Sequence, residues 1–294
     1  MLKQRLTLGP ILIVFLLGVA FGDEWLDRQA GPSWMGRETW PPGVLVFLLS
    51  VTLAILGTRE LARILADKGI EASRRAMGTS AVLGLMVMAF TPGDWDGPAG
   101  VAIVAGASAF VLVASLVFYS RGRTVEGVVA ATGGTLWAFV YLGLMLGAVV
   151  LIRREHSVWV LLWVVLVTKS CDIGAYFTGK SIGRHKLIPW LSPGKTWEGL
   201  IGGVVFSGAV GAIGVGLIGR LDGVPEVPWW SGLIVGVLLG LAGQAGDLIA
   251  SLLKRDAGRK DSGGLLPGFG GVLDVIDSPL VAMPVAYAWL VAVA

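Results

Sequence analysis

The chain has 294 residues, 55% of them hydrophobic and only 15% charged, with a formal net charge of +3; its mean hydropathy is +0.78 and its pI about 9.1. An ordinary soluble domain carries about 25% charged residues. A water-exposed core of this length could not hide so much apolar surface, which excludes a soluble enzyme, a disordered chain and a nucleic-acid binder. The sequence predicts an all-α, polytopic integral membrane protein.

A helix needs about 20 apolar residues to cross a hydrocarbon layer of roughly 30 Å. Nine segments are expected to do so, in chain order 6–22, 42–58, 78–92, 98–118, 127–152, 157–178, 199–219, 231–252 and 278–294. The first follows Lys3 and Arg5 as a signal peptide would, but Gly22-Asp23-Glu24-Trp25 is a poor cleavage site, so a retained helix is expected. Basic residues alternate between the two sides of these segments. One side collects Lys3 and Arg5, a 59–77 loop (Arg59, Arg63, Lys68, Arg74, Arg75), Arg121 and Arg123, a 179–198 loop (Lys180, Arg184, Lys186, Lys195) and a 253–277 loop (Lys254, Arg255, Arg259, Lys260). The other side holds Arg28, Arg37, Arg153, Arg154 and Arg220. This asymmetry predicts a cytoplasmic N-terminus and, with nine spans, a C-terminus outside.

The two halves differ in chemistry. Residues 1–150 read as scaffold helices that face lipid or form an oligomer, whereas 151–294 places polar residues inside and beside the membrane segments. Lys169 and Asp172 lie three apart near the end of the sixth segment, a spacing that puts them on one helix face as potential partners. The loop that follows combines Lys180, Arg184, Lys186 and Lys195 with Ser192, Thr196 and several glycines, which suits a polyphosphate. Its Gly194-Lys195-Thr196 is not a P-loop, because Pro189 stands where that pattern needs glycine. The richest stretch is 246–278. Asp247, Ser251 and Lys254 share one helix face, a Gly/Pro-rich loop follows Lys260 and Asp261, and Asp274 and Asp277 open the last segment. Carboxylates beside a basic, glycine-rich loop are a common way to hold Mg²⁺ against substrate phosphates, and two metal positions are conceivable there. His156 and His185 are too far apart to form a metal site, Cys171 reads as a packing residue, and tryptophans such as Trp25, Trp34, Trp40, Trp229 and Trp230 mark the membrane interface.

Residues 246–278 resemble the hallmark segment of the phosphatidate cytidylyltransferases, or CDP-diacylglycerol synthases, whose pattern is S-x-x-K-R-x-x-x-x-K-D-S-G-x-x-x-P-G-H-G-G-x-x-D-R-x-D. Ser251, Lys254, Arg255, Lys260, Asp261, Ser262, Gly263, Pro267, Gly268, Gly270, Gly271, Asp274 and Asp277 fit it without a gap. The preceding D-x-G-A-Y-x-x-G and S-P-x-K-T-x-E-G are similarly met, by Asp172, Gly174, Ala175, Tyr176 and Gly179, then by Ser192, Pro193, Lys195, Thr196, Glu198 and Gly199. The resemblance covers about residues 165–280. It implies a Mg²⁺-dependent enzyme of the cell inner membrane that joins CTP to phosphatidic acid, giving CDP-diacylglycerol and pyrophosphate. It also implies Asp247 and Asp274 as metal ligands, with Lys195, Lys254 and Asp261 completing the catalytic set. Ser192, Pro193, Thr196, Ser251, Arg255, Lys260, Asp172 and Asp277 would bind substrate. The identity of a second cation and a homodimeric state stay open.

Three positions depart from the family pattern: Phe269 replaces its His, Val275 its Arg, and Gly194 a frequent Lys. Loss of the Arg removes a bidentate phosphate fork, yet the acids and the Lys254-Arg255 pair remain, which favours an active variant over a catalytically altered relative. A transporter or channel would need polar residues on both sides of the midplane, whereas here they gather at one end. An alcohol phosphotransferase that consumes CDP-lipid would need an Asp-Gly-x-x-Ala-Arg run, which the chain lacks.

Overall fold

A backbone in lipid must satisfy its own N–H and C=O groups, and a helix does so within a single segment. The computed structural model describes residues 2–31, 38–91, 97–122, 125–219 and 227–293, with side chains from residue 6 onward. Trp34, Arg37, Arg123 and Arg220, and the side chains of Lys3 and Arg5, lie outside the described residues. Ten α-helices follow: α1 Leu2–Leu26, α2 Val44–Asp67, α3 Arg74–Phe90, α4 Pro98–Ser120, α5 Val128–Trp137, α6 Met145–Glu155, α7 Val158–Ile182, α8 Trp197–Ile218, α9 Trp229–Asp256 and α10 Val272–Val293. A π-helical stretch, Ala138–Leu144, joins α5 to α6 as one continuous span.

Among the described residues, eight helices are by length and composition suited to crossing a membrane, with α5 and α6 counted together. The protein is therefore an integral membrane protein, and eight of the nine expected spans are matched by such helices among the described residues. The segment expected at 78–92 forms α3, whose 17 residues sit at the short limit of about 17 for a spanning helix. Two expected loops are also more ordered than anticipated. The 59–77 loop is helical as far as Asp67, because Ala54, Gly57, Leu61 and Ile64 continue a buried stripe while Arg59 and Arg63 point outward. The 179–198 loop folds into an antiparallel hairpin, β1 Lys186–Ile188 with β2 Ser192–Thr196.

Two compact units divide the chain, residues 1–151 with 256–273 and residues 152–255 with 274–294. In the first, Asp23 of α1 caps α2, accepting from the backbone N–H of Gly43 at 2.9 Å and of Leu45 at 2.7 Å. A carboxylate there answers both the free N–H groups and the positive helix end. The π-helical stretch meets α3 backbone to backbone, since a Cβ on Gly84 would lie 2.7 Å from the Phe139 carbonyl.

In the second unit glycine sets the helix spacing. A Cβ on Gly236 of α9 would fall 2.8 Å from Gly208 Cα, and one on Gly211 of α8 would fall 2.9 Å from Gly236 Cα. Such small-residue seams are how membrane helices approach closely enough for dispersion to hold them. Gly236→Ala is therefore expected to destabilise this unit by about 1–3 kcal/mol, the usual cost of overpacking. Gly216→Ala, whose Cβ would meet nothing within 4 Å, should leave the thermal midpoint in detergent unchanged or slightly raised.

Candidate functional site

The site grows from the second unit, where α7, the hairpin and α8 converge. Thr196 ends β2 and caps α8, its Oγ1 accepting from the Gly199 N–H at 3.1 Å. Cβ atoms placed on Gly179, Gly183 and Gly199 would approach that Oγ1 within 3.1, 2.8 and 2.9 Å. Three glycines thus allow the end of α7, the hairpin and the start of α8 to close around one hydroxyl. Glu198, in the first turn of α8, accepts from His185 Nδ1 at 2.6 Å and from the Arg184 and His185 backbone N–H groups, which pins the hairpin's entry.

Beneath the hairpin lies a polar run of alternating charge. Lys169 and Asp172 pair at 3.6 Å on α7, as their spacing predicts. Asp172 Oδ1 accepts from Gln244 Nε2 at 2.7 Å. Gln244 Oε1 in turn accepts from Lys195 Nζ at 2.6 Å, and the same Nζ pairs with Asp247 Oδ2 at 2.6 Å. Gln244 is buried, and its amide is turned with nitrogen toward the acid and oxygen toward the lysine, as the charges require. Three members of this run, Asp172, Gln244 and Lys195, line a cavity of 440 Å³ together with Tyr176, Lys180 and Thr196. That volume falls within the range of small-molecule sites, roughly 300–1,000 Å³.

A second ion pair lies on α9 and α10. Lys254 Nζ meets Asp274 Oδ1 at 2.5 Å, with only 12% and 9% of the two side chains exposed. Asp247, Ser251 and Lys254 follow one face of α9, and Gln244 extends that face by a turn. Asp277 is buried, and its Oδ1 accepts from the N–H and Oγ of Ser278. Gly246 is needed beside it, because a Cβ there would collide with the Asp277 carbonyl. Ser251 is half-buried and Arg255 exposed at the end of α9, while Ser192 and Pro193 open β2.

Lys260 and Asp261 belong to the first unit, both exposed on the 256–273 loop. Phe269 of that loop contacts α1, its ring 3.5 Å from where a Cβ on Gly9 would sit. Val275 is half-buried on α10. His156, before α7, is held below the ordinary imidazole pKa by burial, with Glu155 opposing the shift.

Two residues that matter here carried no motif. Gln244 was detectable as the polar residue one turn before Asp247 on the same helix face. Glu60, a buried acid on α2, was hidden by a segment boundary drawn at residue 58.

The sequence matches the model of the cytidylyltransferase family over residues 37–293. It is 30% identical over 296 residues to a protein of Chlamydia muridarum named phosphatidate cytidylyltransferase, covering 98% of this chain and 92% of that one. It is 40% identical over 152 residues to the Bacillus subtilis protein of the same name, covering 51% of this chain and 55% of that one. It is 44% identical over 129 residues to the Escherichia coli uncharacterized protein YnbB, covering 44% of this chain and 41% of that one. The last two alignments span about half or less of those relatives, whereas the first runs nearly end to end. With that full-length likeness and a family match across most of its residues, the chain belongs to the cytidylyltransferase family.

Proposed function

We propose that the chain transfers the cytidylyl group of CTP to phosphatidic acid, giving CDP-diacylglycerol and pyrophosphate. The observation that carries this reading is the run Asp172–Gln244–Lys195, which lines the 440 Å³ cavity and whose lysine is paired with Asp247. It supplies a cation held ready beside a space of nucleotide scale, with Asp172 and Lys195 at positions that match the family's motifs. Relatives named phosphatidate cytidylyltransferase support the same substrates.

The reaction is an in-line displacement. A phosphatidate oxygen attacks the α-phosphorus of CTP, a new P–O bond forms, and the bond to the β-phosphate oxygen breaks to release pyrophosphate. A phosphate monoester is already anionic at neutral pH, so no general base is required, and catalysis rests on positioning and charge neutralisation. Lys195 exchanges its aspartate partner for a phosphate oxygen, and Gln244 keeps the ammonium aimed at the cavity. Lys254 offers a second cation, with Arg255 adding charge, and Lys260 belongs to the substrate-binding set by its match to the family motif. Ser192, Thr196 and Ser251 donate hydroxyl hydrogens, and Asp172 and Asp277 hold the surrounding polar groups in place. The single cap on Thr196 uses an oxygen lone pair and leaves its O–H for such a bond.

Magnesium belongs to this proposal. Among the described residues no group of three or more His, Cys, Asp or Glu is placed to hold a metal ion. Asp247 and Asp274 nevertheless fit an ion that takes one or two carboxylates and completes its shell with phosphate oxygens and water. When bound, Mg²⁺ would neutralise charge on the reacting phosphates. Asp261 stands as a further acid of the motif, and a second cation position is part of the reading.

The basic connections support an inner-membrane protein with its N-terminus and catalytic loops cytoplasmic. With α3 counted as a span, the C-terminus lies outside. The exposed Val101, Phe110, Val113 and Val117 of α4 suit acyl chains, and a homodimer stays part of the reading without a surface assigned to it.

Purified protein in detergent, given labelled CTP, phosphatidic acid and Mg²⁺, should form labelled lipid. Lys195→Ala should lower kcat/KM by about 10²–10³-fold, the usual cost of removing one group that stabilises transition-state charge. Asp247→Asn should lose most turnover and alter the Mg²⁺ dependence; full activity with an unchanged Mg²⁺ profile would contradict the assignment. Gln244→Leu keeps the side-chain volume but frees Lys195 from its guide. It should cost roughly 10-fold, of the order of one lost hydrogen bond to a charged group, and a wild-type rate would remove Gln244 from the site.

A further inference from the structure

The N-terminal helices show no chemistry in their sequence, yet α2 grips the loop that carries the family's longest motif. Glu60 is 5% exposed and receives three neutral donors. Ser262 Oγ donates to its Oε2 at 2.8 Å, the Val272 N–H to Oε1 at 2.9 Å, and the Leu273 N–H to Oε2 at 3.0 Å. Two motif glycines make room for the carboxylate. A Cβ on Gly263 would lie 2.6 Å from Oε1, and one on Gly271 would collide with Oε2. Two ion pairs tie the same loop to the end of α2, Arg259 with Asp67 and Lys68 with Asp256 at 3.2 Å. Gly57, one turn before Glu60, admits the Leu273 side chain, which would lie 3.1 Å from a Cβ there.

A buried carboxylate is costly unless its oxygens are fully hydrogen-bonded. Here its donors include two N–H groups of the first turn of α10, groups with no partner inside the helix and at its positive end. The next residue along is Asp274, whose Oδ1 holds Lys254.

We infer that Glu60 is a positioning residue, which orders the 256–273 loop and fixes the first turn of α10, the turn from which Asp274 follows in the chain. This inference rests on the cytidylyl-transfer reading for what the loop acts on; the anchoring itself does not. Neither Glu60 nor any other α2 residue touches the reacting atoms in this scheme. Its effect passes through Ser262, Val272 and Leu273.

Glu60→Gln tests it, since the amide keeps the shape but turns an N–H₂ toward donors that need an acceptor. Hydrogen exchange of wild type and variant in detergent should show residues 262–273 exchanging at least 10-fold faster in the variant, with α7 and α8 unchanged. In turnover, kcat should fall about 10-fold with the KM for CTP within two-fold. Ser262→Ala should add little to Glu60→Gln, while Lys195→Ala should multiply with it. Unchanged exchange over 262–273, or full additivity with Ser262→Ala, would overturn the inference. Should Glu60→Gln fail to fold, Ser262→Ala alone should still speed exchange in the same segment, and protection equal to wild type would overturn it. If wild type made no CDP-lipid, the functional reading would fall, and the exchange comparison would still decide the role of Glu60.

Discussion

Charge in an apolar chain has to be paired or hydrogen-bonded, and the placement of the polar residues follows from that constraint. An ionised side chain alone at membrane depth costs several kcal/mol or more. Each acid on α7 and α9 therefore has a named partner: Asp172 has Lys169 and Gln244, Asp247 has Lys195, and Asp256 has Lys68. On α10, Asp274 has Lys254. The pairing that makes these groups tolerable also makes them useful. A lysine held by an aspartate can move to a phosphate without ever being left uncompensated, and the acid it leaves is then free for a cation. Lys195 illustrates this, because it comes from the hairpin rather than from a spanning helix. The hairpin between α7 and α8 is what delivers a cation to a carboxylate on α9.

Glycine provides the second half of the design. Helices that touch along small-residue seams leave little play between them, and the seam of Gly208, Gly211 and Gly236 holds α8 against α9. At the end of α7, glycines crowd a single hydroxyl, Thr196, so the hairpin cannot drift from the helices it joins. The 256–273 loop is treated in the same way within the first unit, where Gly263 and Gly271 close over Glu60.

Much of this was legible in the sequence, and the reasons are physical. Long apolar runs permit only one structure in lipid, so the all-α membrane class follows from hydropathy alone. The Lys169–Asp172 pair followed from spacing, and the acids and cations of 246–278 stood out because polar residues are rare beside apolar segments. What was missed depended on long-range geometry. Glu60 lies 202 positions from Ser262, and no local pattern joins them. Gln244 is neutral and sits in an apolar helix, so only its helical register with Asp247 marked it. The hairpin was hidden because its strands are three and five residues long, too short to show alternation. The number of spans turned on α3, a helix at the length limit, for which composition gives no decision.

Phe269 shows how a departure from a motif is absorbed. Phe269 turns its ring to α1 beside Gly9, an apolar contact in the first unit. Its backbone still takes part in the tight turn in which Leu266 and Gly270 exchange hydrogen bonds. The loop's shape is thus kept while one polar side chain of the family pattern is replaced.

In the proposed reaction Lys195 leaves Asp247 to hold the nucleotide's phosphates. The most direct measurement is equilibrium binding of CTP to wild-type and Asp247→Asn protein in detergent, without lipid and with divalent cations chelated. Removing the competing carboxylate should tighten metal-free CTP binding several-fold, an effect that Lys195→Ala in the same background abolishes. Unchanged or weaker binding by Asp247→Asn, or a gain that survives Lys195→Ala, would contradict the exchange.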